Sequence, residues 1–436
     1  MNQHEKIKSL IEKEFFTRFE KEHVRSVKEQ TNDDEEFYND KEEFNEKLKP
    51  EAYHGITGEI IKRIEPHTEA DNAALLINFL VSFGNLIGRK PHFVVESKKH
   101  HVRLFAAIVG KTSKGRKGSS WGHIKRILEN IDDEWVSKRI KSGLSSGEGL
   151  INQVRDQLDD DEEKIDKRLL ILEEEFATTL RAAERSGNTL TALIRQAWDS
   201  GDIRTLTKIP LTATDSHISI LAHVTKNELR KYLTTTEIGN GFANRFLWVI
   251  VQRSKVLPEG GSFHSQNIDD LVSKLESIIE FSNKVGELKK DEHAKEAWAS
   301  IYEQLSNGFP GLVGAVTSRA EAQAMRLACL YALLDKSPII KVEHLMAALA
   351  VWDYCFASAR YTFGEELGNS IADEILKTLK EKQTNGLTRT EISNLFSGKK
   401  SKKELNLAIK LLIDNGFVTI KTEKTAGRPR EKLVLL

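Results

Sequence analysis

Residues 103–120 read RLFAAIVGKTSKGRKGSS. The apolar run Leu104 to Val109 breaks into a loop holding Gly110, Gly115 and Gly118 together with Lys111, Lys114, Arg116 and Lys117. Ser119 and Ser120 then open a stretch of helical period. Strand, basic glycine loop and helix together make a phosphate cradle. Glycines let backbone N–H groups turn toward the anion, and the helix N-terminus adds positive potential. The usual spacing is G-x-x-x-x-G-K-[ST]. Gly110 and Gly115 keep that spacing, but Arg116 follows, so Lys117 and Ser119 come late. The expected ligand is ATP with Mg²⁺. Lys117 is expected on the β- and γ-phosphates, with Lys114 and Arg116 as competitors. Ser119 is expected on the metal, with Ser120 beside it and Gly118 absorbing the extra residue. A basic surface turn is the plainer alternative.

The chain around this loop has 436 residues, room for two or three domains. Lys+Arg and Asp+Glu are both 65, so no global charge draws it to nucleic acid, and any such binding must be local. The start, MNQHEKIKSLIEKEFF, lacks a signal-peptide core, and the apolar run AALLINFLV at 73–81 is too short to span a bilayer. A cytoplasmic location without membrane contact is expected. Cys329 and Cys355 sit in apolar helical contexts and read as reduced core residues.

Five short strand candidates follow in alternation with helices: Leu104–Val109, a weak one near Arg139–Leu144, Leu169–Leu172, Ile218–His223 and Phe246–Val251. That alternation predicts a parallel sheet covered on both faces. The third strand belongs to RLLILEEEF (168–176) and ends in Glu173, Glu174 and Glu175. Nucleotide hydrolysis needs one carboxylate near Mg²⁺ and one near the attacking water. Glu173 is the expected metal ligand. Strand alternation places Glu173 and Glu175 on one side and Glu174 on the other. The fourth strand, in HISILAHVTKNEL (217–229), ends in polar residues. In such sheets it lies beside the loop strand, so His223 is either a sensor of the bound phosphate or a packed core histidine.

In NGFANRFLWVIVQRS (240–254), Arg245 immediately precedes the fifth strand. NRF before an apolar strand resembles the SRF motif of minichromosome-maintenance-type AAA+ helicases, where the arginine reaches into a neighbouring subunit's nucleotide site. The stretch 317–352 is similar to the lid of those helicases, which makes Arg319 the candidate second sensor, with Arg326 behind it. The segment SGDIRTLTKIPLTATDSHISI (200–220) alternates like the hairpin that such helicases project into a central channel, so Arg204 and Lys208 are candidate DNA contacts. Taken together, residues 55–436 resemble a family of helicase-like ATPases found with primase modules on phages, plasmids and genomic islands. The resemblance is carried by VGKTSKGRKGSSWG, SGLSSGEGLI, EEEFATTLRAAERSGNTLTALIRQAWDSGD, NGFANRFLW, RAEAQAMRLA and AALAVWDYC. It implies a ring, expected to be a hexamer, that hydrolyses ATP to translocate on or unwind DNA, with a separately encoded primase as a further partner. A nucleotide-binding DNA scaffold and an ATPase that does not unwind are the rival expectations.

At the C-terminal end, Thr388-x-x-Glu391 and Ser401-x-x-Glu404 are two capping boxes. Three helices and two alternating strands around TAGRPR predict a winged helix. Residues 370–436 hold 14 Lys/Arg against 8 Asp/Glu, a net charge of +6. Lys402 and Lys403 on the third helix, and Arg428 and Arg430 at the wing, are the expected DNA contacts. The expected architecture is thus an α/β P-loop NTPase of AAA+ type with a five-stranded parallel sheet. It divides into an N-terminal helical arm (1–54), the ATPase core (55–262), a helical lid (263–367) and a winged helix (368–436).

Overall fold

The computed structural model describes residues 44–112, 115–156, 166–208, 210–309, 311–364, 369–382, 386–414, 416–423 and 430–436. Most of the expected N-terminal arm, Lys114 and Arg428 therefore lie outside the described residues. The chain forms two compact units, one of them spanning Phe44–Glu365 and the other including Glu366–Leu436.

The larger unit is α/β. Its sheet contains β1 (Phe105–Val109), β2 (Ile140–Lys141), β3 (Arg168–Glu173), β4 (His217–Val224) and β5 (Phe246–Ile250). All are parallel, in the order β2-β3-β4-β1-β5. All five expected strands are present, and the fourth lies beside the loop strand. In register, Ile108 pairs with His223 on one side of β1 and with Val249 on the other. Every residue of β1, β4 and β5 is buried, as expected of strands covered on both faces.

Two helices flank the first segment, α1 (Ile56–Ile64) and α2 (Asn72–Leu86). Asp71 caps α2 by accepting from the Ala73 amide at 2.9 Å, and every residue from Ala73 to Leu86 is buried. Each large apolar side chain so buried contributes roughly 1.5–3 kcal/mol. Helices further along the chain include α3 (Lys117–Glu129), α4 (Phe176–Ala183), α5 (Leu190–Asp199) and α6 (Lys226–Tyr232). An antiparallel hairpin of Ile203–Arg204 and Thr212–Ala213 fills the expected hairpin segment. A second hairpin, His92–Val95 with Lys98–His101, is not among the expected elements.

The segment expected to be a lid contains α7 (Glu292–Ser306), α8 (Ala320–Leu334) and α9 (Val342–Phe363). Its long helix packs directly on the sheet edge. The Tyr354 hydroxyl donates to Ile250 O at 2.7 Å, and the Ile250 amide donates to Ser358 Oγ at 3.1 Å. Sheet and helices accordingly belong to one compact unit. Cys329 and Cys355 are free and buried, and burial pushes the Cys329 thiol up to about 12. No helix among the described residues is long and apolar enough to cross a membrane.

The smaller unit contains α10 (Ser370–Lys382), α11 (Arg389–Leu395) and α12 (Lys402–Asp414). They accompany β6 (Leu387–Thr388), β7 (Val418–Glu423) and β8 (Arg430–Leu435), in the antiparallel order β6-β8-β7. Its core includes Ile375, Leu379, Ile392, Ala408, Leu412 and Leu433. Both capping boxes form, with Thr388 Oγ donating to Glu391 and Ser401 Oγ to Glu404 at 2.6 Å each.

Candidate functional site

The five parallel strands end on one sheet edge, and the glycine loop leaves from the strand flanked by β4 and β5. Gly110 turns the chain there, its amide donating to Val224 O at 3.1 Å. A Cβ on Gly110 would stand 2.9 Å from Val251 Cγ2, so something would have to shift, and one on Gly115 would stand a tight 3.0 Å from the Lys111 carbonyl oxygen. Arg116 caps α3 in the left-handed region, at φ 49°, which costs a non-glycine residue about 1–2 kcal/mol. Its side chain is anchored: Nε donates to Glu69 Oε2 at 2.7 Å. Glu69 also receives Arg253 and the Leu257 amide, the latter at 2.7 Å. Arg253, that amide and Arg116 hold the Glu69 carboxyl down to about 2. Arg116 is thus committed to Glu69.

Lys117 is the cation that the fold brings to the strand tips. Its Nζ donates to Gly110 O at 2.8 Å and to Val224 O at 3.3 Å, bridging the ends of β1 and β4. Burial lowers its pKa, and the charges of Glu228 and Glu175 oppose that. Ser119 and Gly118 are exposed on the first turn of α3. Ser120 is buried and structural, donating to Lys117 O at 2.6 Å and accepting from Asn78 Nδ2 at 3.0 Å.

The strand ends at Glu173, and Glu174 and Glu175 lie in the turn that follows, so strand alternation does not carry through all three. Glu173 is buried and accepts from the Leu144 amide at 2.7 Å. Burial raises its pKa, against hydrogen bonds from Leu144, Thr179 and Gly143. Its carboxylate fastens the 143–144 segment. Glu174 is exposed, and its Oε1 lies 3.7 Å from where a Cβ of Gly118 would be. Glu174 is therefore the carboxylate over the start of α3, and Glu175 acts on Lys117 through its charge. His223 is buried in β4, and its Nε2 has no partner among the described residues. Burial and then Lys117 push its imidazole down to about 4, so it is neutral near pH 7. Thr225 beside it is spent on capping α6 through Glu228.

Arg245 and Arg319 belong to the opposite edge, about 15 Å away along a five-residue strand. Arg245 is buried, and its Nη2 meets Asp199 Oδ2 at 2.6 Å. Arg319 Nη1 lies 3.6 Å from Asp199 Oδ1, with its side chain 35% exposed. Within one chain Arg319 therefore does not reach the glycine loop. Arg326 is fully buried over the Trp198 ring at 3.6 Å and donates to Arg103 O and Trp198 O, both at 3.0 Å. Arg103, buried too, donates to Trp198 O and Asp199 O. No local spacing marks this cluster around Trp198 and Asp199, nor the Glu69 anchor.

The expected DNA contacts Arg204 and Lys208 are exposed on the 203–213 hairpin, whose Leu206 is 95% exposed. Lys402 and Lys403 are exposed at the start of α12, and Arg430 at the start of β8. One cluster has the donor types of a metal site: His54 and His344 both approach Asp335 Oδ2, at 2.5 and 3.1 Å. It does not fit a metal. His344 Nδ1 accepts from the Lys341 amide at 3.0 Å, so the proton sits on Nε2, the atom that would have to bind the ion. Compared with protein-family models and with curated proteins, the sequence matches none.

Proposed function

We propose that this chain is an ATP-hydrolysing motor of the AAA+ type that assembles as a ring, a hexamer, on DNA and acts in the replication of a mobile genetic element. The observation that carries the reading is Lys117. It is held across the tips of β1 and β4 at the mouth of a glycine loop, with two exposed carboxylates at the end of β3. The order β2-β3-β4-β1-β5 supports it, since it sets β4 between the loop strand and the acidic strand.

The residues present fit a nucleotide with Mg²⁺. Gly110 and Gly115 are crowded by Val251 and Lys111, and among the described residues half-buried Lys117 donates to carbonyl oxygens that a phosphate would replace. Bound MgATP would supply the phosphoanhydride bond whose cleavage drives the motor. Lys117 neutralises phosphate charge, while the Ser119 hydroxyl and the Glu174 carboxylate are the groups available to the metal side. Glu175 is the carboxylate left to orient water, and neutral His223, buried in β4 with its Nε2 unpartnered among the described residues, is available as a hydrogen-bond partner. Arg319 is the partly exposed cation at the far edge, so a contribution to nucleotide would be made to a neighbouring subunit's site. The smaller unit, read as a winged helix, offers Lys402, Lys403 and Arg430 to phosphates, and the 203–213 hairpin offers Arg204 and Lys208.

One observation favours the rival, a nucleotide-binding DNA scaffold: Arg245 is consumed by Asp199 of its own chain. Strand displacement on forked DNA with ATP separates the two readings. The motor reading expects ATP-dependent displacement that is lost in Lys117→Ala. DNA binding without displacement would favour the scaffold.

A further inference from the structure

At the sheet edge opposite the glycine loop, a pocket of about 520 Å³ opens between the 92–101 hairpin, α7 and the start of α8. That volume lies in the range of small-molecule sites, about 300–1,000 Å³. Its walls combine rings and cations. Trp298 and Tyr302 stand edge to face on α7, with centroids 5.8 Å apart. Lys290 Nζ lies 5.3 Å over the Trp298 ring. Across the pocket, Phe93 and His100 stack at 4.8 Å. Tyr302 is 49% exposed and lines the pocket.

The charge balance is unusual. Arg319 lines the pocket, and Arg103, Arg245 and Arg326 are buried nearby. Among the described residues Asp199 ion-pairs with two of them, Arg245 and Arg319, and Asp202 adds its charge near Arg103. Arg103 Nη1, Arg245 Nε and Arg326 Nε have no hydrogen-bond partner among the described residues. His100 senses the resulting potential: burial, then Arg326, Arg103, Lys98 and Arg319, push its imidazole down to about 4. Burial disfavours charge of either sign, so it is the cations behind it in that order that bear on an anion. Glu321 is the acid in the lining.

We propose that this pocket is a ligand site for a small aromatic anion of the class of a nucleoside monophosphate. The ring packs against Trp298 and Tyr302, and the anionic group faces Lys290 and Arg319. Aromatic contact and a desolvated cation each contribute to such a ligand, and neither alone suffices. The site does not depend on the glycine loop, since no loop residue lines it.

Isothermal titration calorimetry on the full-length Lys117→Ala chain, in which the loop lysine is absent, tests the proposal with AMP, adenosine and ribose 5-phosphate as probes. AMP is expected to bind at one site per chain. Adenosine and ribose 5-phosphate should each bind on the order of tenfold more weakly. Lys290→Met and Tyr302→Ala, added singly, should each weaken AMP by a similar factor while the unfolding midpoint stays near that of the parent; Tyr302 is exposed enough for its replacement to be tolerated. The proposal is overturned if AMP binds the parent chain but not Lys117→Ala, if AMP binds neither, or if ribose 5-phosphate binds as well as AMP. It is also overturned if both pocket substitutions leave AMP affinity unchanged.

Discussion

Arg116 donates from Nε to Glu69 Oε2 at 2.7 Å, across 47 residues of sequence. This ion pair sorts the cations of the glycine loop, because it holds Arg116 aside while Lys117 spans the strand tips. Lys117→Ala should therefore weaken a fluorescent ATP analogue by at least about tenfold, the size of a lost charge-assisted hydrogen bond. Arg116→Gly should retain most of the affinity, since glycine accepts the left-handed backbone of that position and the missing guanidinium serves Glu69. Equal losses in the two variants would contradict this division.

Glu173 and Glu174 should separate by what each variant damages. Glu173→Leu leaves the Leu144 amide without its acceptor and should lower the unfolding free energy by about 1–3 kcal/mol. Glu174→Ala, at an exposed position, should leave stability within about 0.5 kcal/mol of the parent and stop hydrolysis. Urea denaturation and a phosphate-release assay read the two effects.

Asp199 is the carboxylate that Arg245 and Arg319 share. It is partly exposed, so the expected cost of Asp199→Asn is that of leaving one buried guanidinium poorly paired, about 1–3 kcal/mol in urea denaturation. Arg319→Ala should cost much less stability, because that side chain is partly exposed. A drop in hydrolysis confined to the assembled state would mark Arg319 as acting between subunits.

The His54–Asp335 pair predicts a pH dependence of stability. The hydrogen bond that His54 donates to Asp335 raises the His54 pKa above its ordinary value, while burial opposes it. A raised histidine pKa gives stability that is fully present below about pH 6.5 and lost as pH rises through the folded value. Hydrogen bonds from His344 and His54 outweigh burial and hold the Asp335 carboxyl well below the usual carboxylate range, so it stays charged throughout. The stability difference between the parent and His54→Gln should thus be larger near pH 6 than near pH 9 in urea denaturation at the two pH values. A difference independent of pH would rule the pair out as a source of stability.

Much of the sheet was legible because each buried parallel strand is written as a short apolar run, such as Phe105–Val109 or Phe246–Ile250. The 92–101 hairpin was not, since Lys98, Lys99, His100 and His101 give it no apolar alternation. Alternation could not sort the three glutamates, because the strand ends at Glu173. What holds Glu173 is the 143–144 segment, whose amides claim it. The partners of Arg116 and Arg245 lie 47 and 46 residues away in sequence, and no local spacing encodes such pairings.

DNA binding should follow the exposed cations. Lys402→Ala with Lys403→Ala, and separately Arg204→Ala with Lys208→Ala, should weaken DNA binding with little dependence on sequence. Removing one cation from a phosphate should reduce the salt slope by about 1. Fluorescence anisotropy over a salt series measures it, and an unchanged slope in both pairs would remove these residues from the interface.

Steady-state ATP hydrolysis by the full chain, with and without DNA, tests the central claim most directly when Lys117→Ala and Glu174→Ala are measured beside the parent. The account predicts hydrolysis by the parent, stimulated by DNA, and its loss in both variants. Hydrolysis at the parent rate in both variants, or none in the parent, would contradict it.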